Sequence, residues 1–176
     1  ALAYRDQTDR APAAAAEFVL MCLVDISDPG LRLLSFHRLV SGLSGRGLDA
    51  LRDRVRESFT VEPRPAGPPL EAGLSRLLAE VVSGRSHAPT LGLLEPAEGR
   101  FSLLTLRSQV RAPGLPPELP RCEPWLLHHE ALDPVMANEP DGRVEFVHEM
   151  DAVASAAADG QCQAVFLVPP MDLDLF

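Results

Sequence analysis

Apolar and polar positions along the chain fall into short segments separated by Gly- and Pro-rich punctuation. After a polar, alanine-rich stretch from Thr8 to Ala16, the run Glu17 to Ile26 is almost continuously apolar and rich in Val, Ile and Leu, the pattern of a strand buried on both faces. Asp28-Pro29-Gly30 supplies a turn, because Pro presets a negative φ and Gly tolerates a positive one, and Leu31 to Leu34 then returns as the second strand of a hairpin. This stretch, LRLLSFHRLV, delivers His37 and Arg38 at its end. Leu48, Leu51, Val55 and Phe59 recur at helical spacing with Arg52, Asp53, Arg54 and Arg56 on the other faces, which predicts an amphipathic surface helix. The tract Pro63 to Pro69 reads as a linker, since proline continues neither a helix nor a central strand. A second helix over Leu70 to Ser83 aligns Leu74, Leu77, Leu78, Val81 and Val82 and ends at Gly84.

Thr90 to Leu94 and Arg100 to Arg107 are apolar runs joined by Glu95-Pro96-Ala97-Glu98-Gly99, a hairpin signal. A second Pro-rich loop covers Ala112 to Pro120. Beyond it the pattern predicts a helix over Trp125 to Leu132, a strand over Val144 to His148, an Ala-rich helix over Asp151 to Ala158 ended by Gly160, and a strand over Ala164 to Val168. The last three make a strand, helix, strand unit of the kind that forms a parallel crossover. The expected class is α/β, a mixed sheet with flanking helices, incomplete at both ends: Ala1 opens without a helix cap, and Asp172 to Phe176 looks like the start of a further helix. Two portions are expected, 1–62 as the remainder of an N-terminal α/β lobe and 63–176 as a second α/β portion, divided at the Pro-rich tract.

At 176 residues and 46% hydrophobic, the chain is large enough for a substantial core. A net charge of −9 argues against a nucleic-acid surface, which needs a clustered excess of cations. All sixteen basic residues are Arg. Without Lys there is no Schiff base and no P-loop lysine, so cationic work falls to Arg. Cys22, Cys122 and Cys162 are odd in number, far apart and not at zinc spacing, which reads as reduced thiols in a cytoplasmic protein. No apolar run reaches the roughly 20 residues of a membrane span, and no signal peptide opens the chain.

His37 and Arg38 together offer a titratable imidazole and a fixed cation to an anionic ligand. The competing reading is a buried histidine bonded to backbone and an arginine paired with a carboxylate. In Trp125-Leu126-Leu127-His128-His129-Glu130-Ala131-Leu132-Asp133, an α-helix puts His129 and Asp133 on one face at i, i+4 and turns His128 roughly 100° away. The donors do not converge, so no metal site is expected there. His148 and Glu149 follow a predicted strand at the end where ligands gather in open α/β sheets, against the plainer reading that this segment caps the next helix. Neither a phosphate loop nor a GxSxG elbow is present.

Several blocks taken together resemble one family. They are Ala1-Leu2-Ala3-Tyr4-Arg5-Asp6, Met21-Cys22-Leu23-Val24-Asp25-Ile26, Asp28-Pro29-Gly30-Leu31, His37-Arg38-Leu39-Val40, His128 with Asp133-Pro134-Val135, Val147-His148-Glu149 and Ala164-Val165-Phe166-Leu167-Val168-Pro169-Pro170. Their order and spacing resemble the domain of unknown function 1015 family of bacteria and archaea. The resemblance implies that this chain is an internal to C-terminal part of a longer protein. In that protein an aspartate-glycine-histidine-histidine-arginine run precedes Ala1, similar to one in ParB-like domains, a superfamily with nucleotide hydrolases and free-serine kinases. It further implies a nucleotide- or phosphate-binding, kinase-like small-molecule phosphotransferase, inactive alone, with ATP or ADP and Mg²⁺ as cofactors. His37, His128 and His148 would be the catalytic candidates, and Tyr4, Arg5 and Arg38 the ligand-binding ones. The alternative is a non-enzymatic interaction or regulatory module. Ser35-Phe36 departs from the family pattern, in which a proline often precedes the histidine.

Overall fold

The structure is a computed structural model that describes residues 20–25, 28, 30–31, 33–65, 67–108, 116 and 119–171. The chain divides into two compact units, 1–32 and 33–176. In the first, the expected turn is present: the Leu31 N–H donates to the Asp28 carbonyl at 2.9 Å, and the Gly30 N–H donates to Asp28 Oδ1 at 2.7 Å. The strands predicted on either side of it are not. Residues 20–25, the described part of the apolar run, form no strand, and neither do residues 31, 33 and 34. Apolar sequence becomes a strand only where a neighbour completes its backbone hydrogen bonds, and no strand pairs with these residues among those described.

The second unit holds a six-stranded sheet in the order β2-β4-β3-β6-β1-β5, from β1 (His37–Ser41), β2 (Phe59–Arg64), β3 (Thr90–Glu95), β4 (Arg100–Leu106), β5 (Arg143–Val147) and β6 (Ala164–Leu167). Every neighbouring pair is antiparallel. The helices are α1 (Gly45–Ser58), α2 (Leu70–Gly84), α3 (Glu123–Leu127), a π-helical turn (His128–Leu132), α4 (Asp133–Met136) and α5 (Met150–Ala158). The expected α/β organisation, a sheet flanked by helices, is therefore what the chain adopts.

Side-chain alternation along the strands separates two cores. Val40, Leu91, Leu93, Leu104 and Phe166 pack with Leu51 and Val55 of α1, with Leu127 of α3, and with Ala131, Leu132 and Val135. Leu39, Leu94, Leu103, Val165 and Leu167 pack on the opposite face with Leu74, Leu77 and Val81 of α2 and Val153 and Ala157 of α5. Helices cover both faces, so the central strands read as continuous apolar runs.

Three boundaries moved. Phe59, expected on the helix, opens β2 and is fully buried there. Pro63 and Arg64 belong to β2 rather than to a linker. β2 is an edge strand bonded to β4 alone, the place in a sheet where proline is tolerated. Strands on both sides of the 63–69 tract share one sheet, so this tract joins β2 to α2 inside a single unit instead of separating two portions.

The predicted crossover over 144–168 is present with a modification. β5 and β6 are both antiparallel to β1, hence parallel to each other, and β1 lies between them. The β3–β4 hairpin turns through Pro96–Glu98 and Gly99, whose φ of 58° suits glycine.

The hairpin is tied to α1 by Glu95, a buried carboxylate. Arg52 Nε donates to its Oε1 at 2.7 Å and Arg100 Nε to its Oε2 at 2.8 Å. Glu95→Ala leaves Arg52 and Arg100 sharing Glu98 alone, and because both are part-exposed the expected loss is about 2 kcal/mol. Urea denaturation checks this, and an unchanged midpoint would show the clamp to be decorative.

Candidate functional site

Strand alternation assigns His37 and Arg38 to opposite faces. Both are the first residues of β1, not the end of a preceding strand, and both are buried, at 1% and 7% exposure. His37 points with Leu39 toward the face covered by α2 and α5. Its Nδ1 accepts from the Val168 N–H at 3.3 Å, which puts the ring hydrogen on Nε2. Burial, reinforced by the Arg38 charge, pushes its pKa from 6.5 down to about 4, so the ring is neutral at pH 7.

Arg38 lies on the other face, between Phe166 of β6 and Phe146 of β5 in register. Its guanidinium sits over the Phe146 ring, 4.6 Å from the centroid. One terminal nitrogen donates to the Phe36 carbonyl, and Nε lies 3.5 Å from His128 Nε2. No carboxylate among the described residues pairs with it. The contrast with its neighbours is sharp: Arg52 holds Glu95 and Glu98, Arg64 holds Glu62 and Glu80, and Arg85 holds Glu123. Burial holds the Arg38 guanidinium below its ordinary pKa, opposed by the nearby Cys122 sulfur. An arginine stays charged even so.

His128 reaches this site through the π turn, whose wider spiral carries i and i+5 onto one line. Its Nδ1 is 3.0 Å from Asp133 Oδ1, and its ring lies parallel to Phe146 at 5.9 Å and 9°. The expectation that His129 shares a face with Asp133 while His128 is turned away is therefore corrected. His129 instead stacks on Trp125 at 4.4 Å, and its Nδ1 lies 2.9 Å from Glu130 Oε1. The signal that could have announced this is Pro134. A proline one turn into a helix has no N–H for residue 130 and crowds its carbonyl. An inserted residue relieves both, and the Asp133 N–H bonds to the His128 carbonyl, five residues back.

His148 stands just past β5, tilted against Phe36 at 5.7 Å. The structure thus joins Arg38, His128 and Asp133, holds His148 near them through Phe36, and turns His37 away. Tyr4 and Arg5 lie outside the described residues. Phe146 and Phe36, both substantially exposed, escaped sequence reasoning because single exposed aromatics carry no pattern.

This donor set suits an anion better than Mg²⁺. The carboxylate in the cluster, Asp133, is occupied by His128, whereas Mg²⁺ takes oxygen ligands from free carboxylates. Among the described residues, no group of three or more His, Cys, Asp and Glu side chains is placed to hold a metal ion, and no helix is long and apolar enough to cross a membrane.

No curated protein and no solved structure matches the chain. A family model described as Protein of unknown function (DUF1015) does match, over residues 1–135, a range that includes Arg38, His128 and Asp133 and stops short of Phe146 and His148. By that match the chain belongs to the DUF1015 family, in agreement with the resemblance carried by its sequence blocks.

Proposed function

We propose that this chain binds a small phosphate-bearing ligand, a nucleotide such as ATP or ADP being the first candidate, and that Arg38 grips the phosphate. The observation that carries the reading is Arg38, a residue 7% exposed with no carboxylate partner among the described residues. Burying an unpaired charge costs several kcal/mol, and a bound oxyanion supplies the missing partner with charge-assisted, bidentate hydrogen bonds. The exposed Phe146 ring beside Arg38 offers a surface on which a base can stack. A kinase-like transfer in the cytosol, along the lines of the ParB-like relation, is the narrower form of this proposal.

Calorimetric titration with inorganic phosphate, ADP and ATP, with and without Mg²⁺, tests it. Binding is expected, and Arg38→Gln should weaken it about 100-fold. The same substitution removes an unpaired buried charge, so its melting temperature should equal or exceed that of the parent chain. That result separates lost binding from lost folding. If none of the three ligands binds, the reading falls. A non-enzymatic interaction module then gains ground, with the edge strand β5 and its exposed Phe146 as the surface.

A further inference from the structure

The two edges of the sheet are built differently. β2 ends in Pro63, which has no N–H to offer, and Arg64, whose charge is taken up within the chain by Glu62 and Glu80. β5 bonds to β1 on one side and, among the described residues, to no strand on the other, and it contains no proline. Alternate residues of such a strand turn unpaired N–H and C=O groups outward, a template for another chain. Its charged residues, Arg143 and Glu145, are both exposed, and neither has an ion-pair partner among the described residues. Phe146, the largest apolar side chain of the strand, is 53% exposed.

The strand, from Arg143 through Val144, Glu145 and Phe146 to Val147, complements itself. A two-fold axis perpendicular to the sheet keeps like faces together and sets one residue opposite its own copy. With the axis at Val144, Arg143 stands opposite the partner's Glu145, and Glu145 opposite the partner's Arg143. Both charges of the strand are then neutralised, and Phe146 faces the partner's Gly142, which has no side chain to obstruct the ring. An axis at Glu145 would set two carboxylates against each other, and one at Phe146 would leave Glu145 facing the partner's Val147. We propose that β5 is a self-association edge, through which two copies of this chain pair antiparallel about Val144 and join their sheets into one. The contact is a single strand of five residues, well short of the roughly 800 Å² per partner of a standard interface, so the dimer is weak and reversible. Arg38, on β1, takes no part in this pairing, so the dimer and the anion site stand or fall separately.

Sedimentation equilibrium over about 10 µM to 1 mM protein, a span suited to weak association, reads the dimer. The parent chain is expected to pass from monomer to dimer across it. Arg143→Glu and Glu145→Arg should each weaken the dimer about 10- to 100-fold, because each turns two attractive cross-strand pairs into two repulsive ones. An equimolar mixture of the two single variants should recover it: one strand then carries two carboxylates, the other two guanidinium groups, and each faces its opposite. The double variant, with the charges exchanged, should recover it as well. Both single variants alter exposed side chains, and melting temperatures close to the parent's at the lowest concentration confirm that they fold. A parent chain that stays monomeric throughout overturns the proposal. So does a dimer that survives both single reversals, which would place the contact on another surface, and so does a mixture that fails to associate.

Discussion

Between pH 7 and pH 5 the chain is expected to lose about 2 kcal/mol of stability through His37 alone. In the unfolded chain this imidazole titrates near its ordinary 6.5, whereas in the folded one burial and the Arg38 charge hold it at about 4. Across that window the unfolded chain takes up a proton that the folded chain refuses. Stability is therefore complete above pH 6.5, falls as pH drops through the window, and levels off near pH 4 after a loss of about 3 kcal/mol. The comparison variant is His37→Asn, whose Oδ1 can still accept from the Val168 N–H but does not titrate. Carboxylates that also destabilise the fold in acid act alike in both proteins and cancel in the difference. Urea midpoints at pH 7 and pH 5 give the answer, and a parent chain no more acid-sensitive than the variant would show that His37 is not the group responsible. The neutrality of His37 also serves Arg38, since a protonated ring would set two cations side by side in β1.

Gly42→Ala should be the most damaging small substitution on this side of the sheet, costing about 3 kcal/mol and lowering the melting temperature by about 10 °C. Gly42 leaves β1 with a φ of 71°, and a Cβ there would lie 2.1 Å from the Asp141 carbonyl oxygen. The obstacle is backbone, and it is held: Asp141 sits in the turn closed by the Gly142 N–H on the Glu139 carbonyl, immediately before β5. Ser41 is already paired with Arg143, so neither strand can retreat without opening the β1–β5 ladder. Gly45→Ala, three residues on, provides the control. Nothing lies within 4 Å of a Cβ at that position, in the first turn of α1, and its effect should stay within about 0.5 kcal/mol. Equal melting temperatures for the two variants would remove the steric argument.

Segments whose structure depends on local pattern were legible in the sequence. α2 and the β3–β4 hairpin lie within a residue or two of their predicted bounds, because periodicity and turn chemistry act over a few neighbours. β1 was misplaced because residues 31–34 look more like a strand than residues 37–41. Polar His37 and Arg38 suggest a strand's end, and only pairing with Val147 and Phe166, far along the chain, makes them its buried beginning. Arg38 was recognised as chemically interesting while its environment was not, since no local pattern reports a missing carboxylate. The pairing of His128 with Asp133 was hidden by the assumption of an unbroken α-helix, although Pro134 carried the warning.

β6, four residues long, is the strand through which β1 and β5 are bonded to β2, β3 and β4. It is also the last of the six to be synthesised. Behind a ribosome, β3 and β4 can pair as soon as both emerge, and β2 can join them, whereas β1 must wait for β5 and β6. Until Ala164 to Leu167 arrive, the nascent chain presents two incomplete sheet portions with open edges, a period when chaperones or unwanted strand partners have their best access. Arg38 lies on β1, so its surroundings are completed only when β5 and β6 arrive, although Arg38 precedes both of them along the chain.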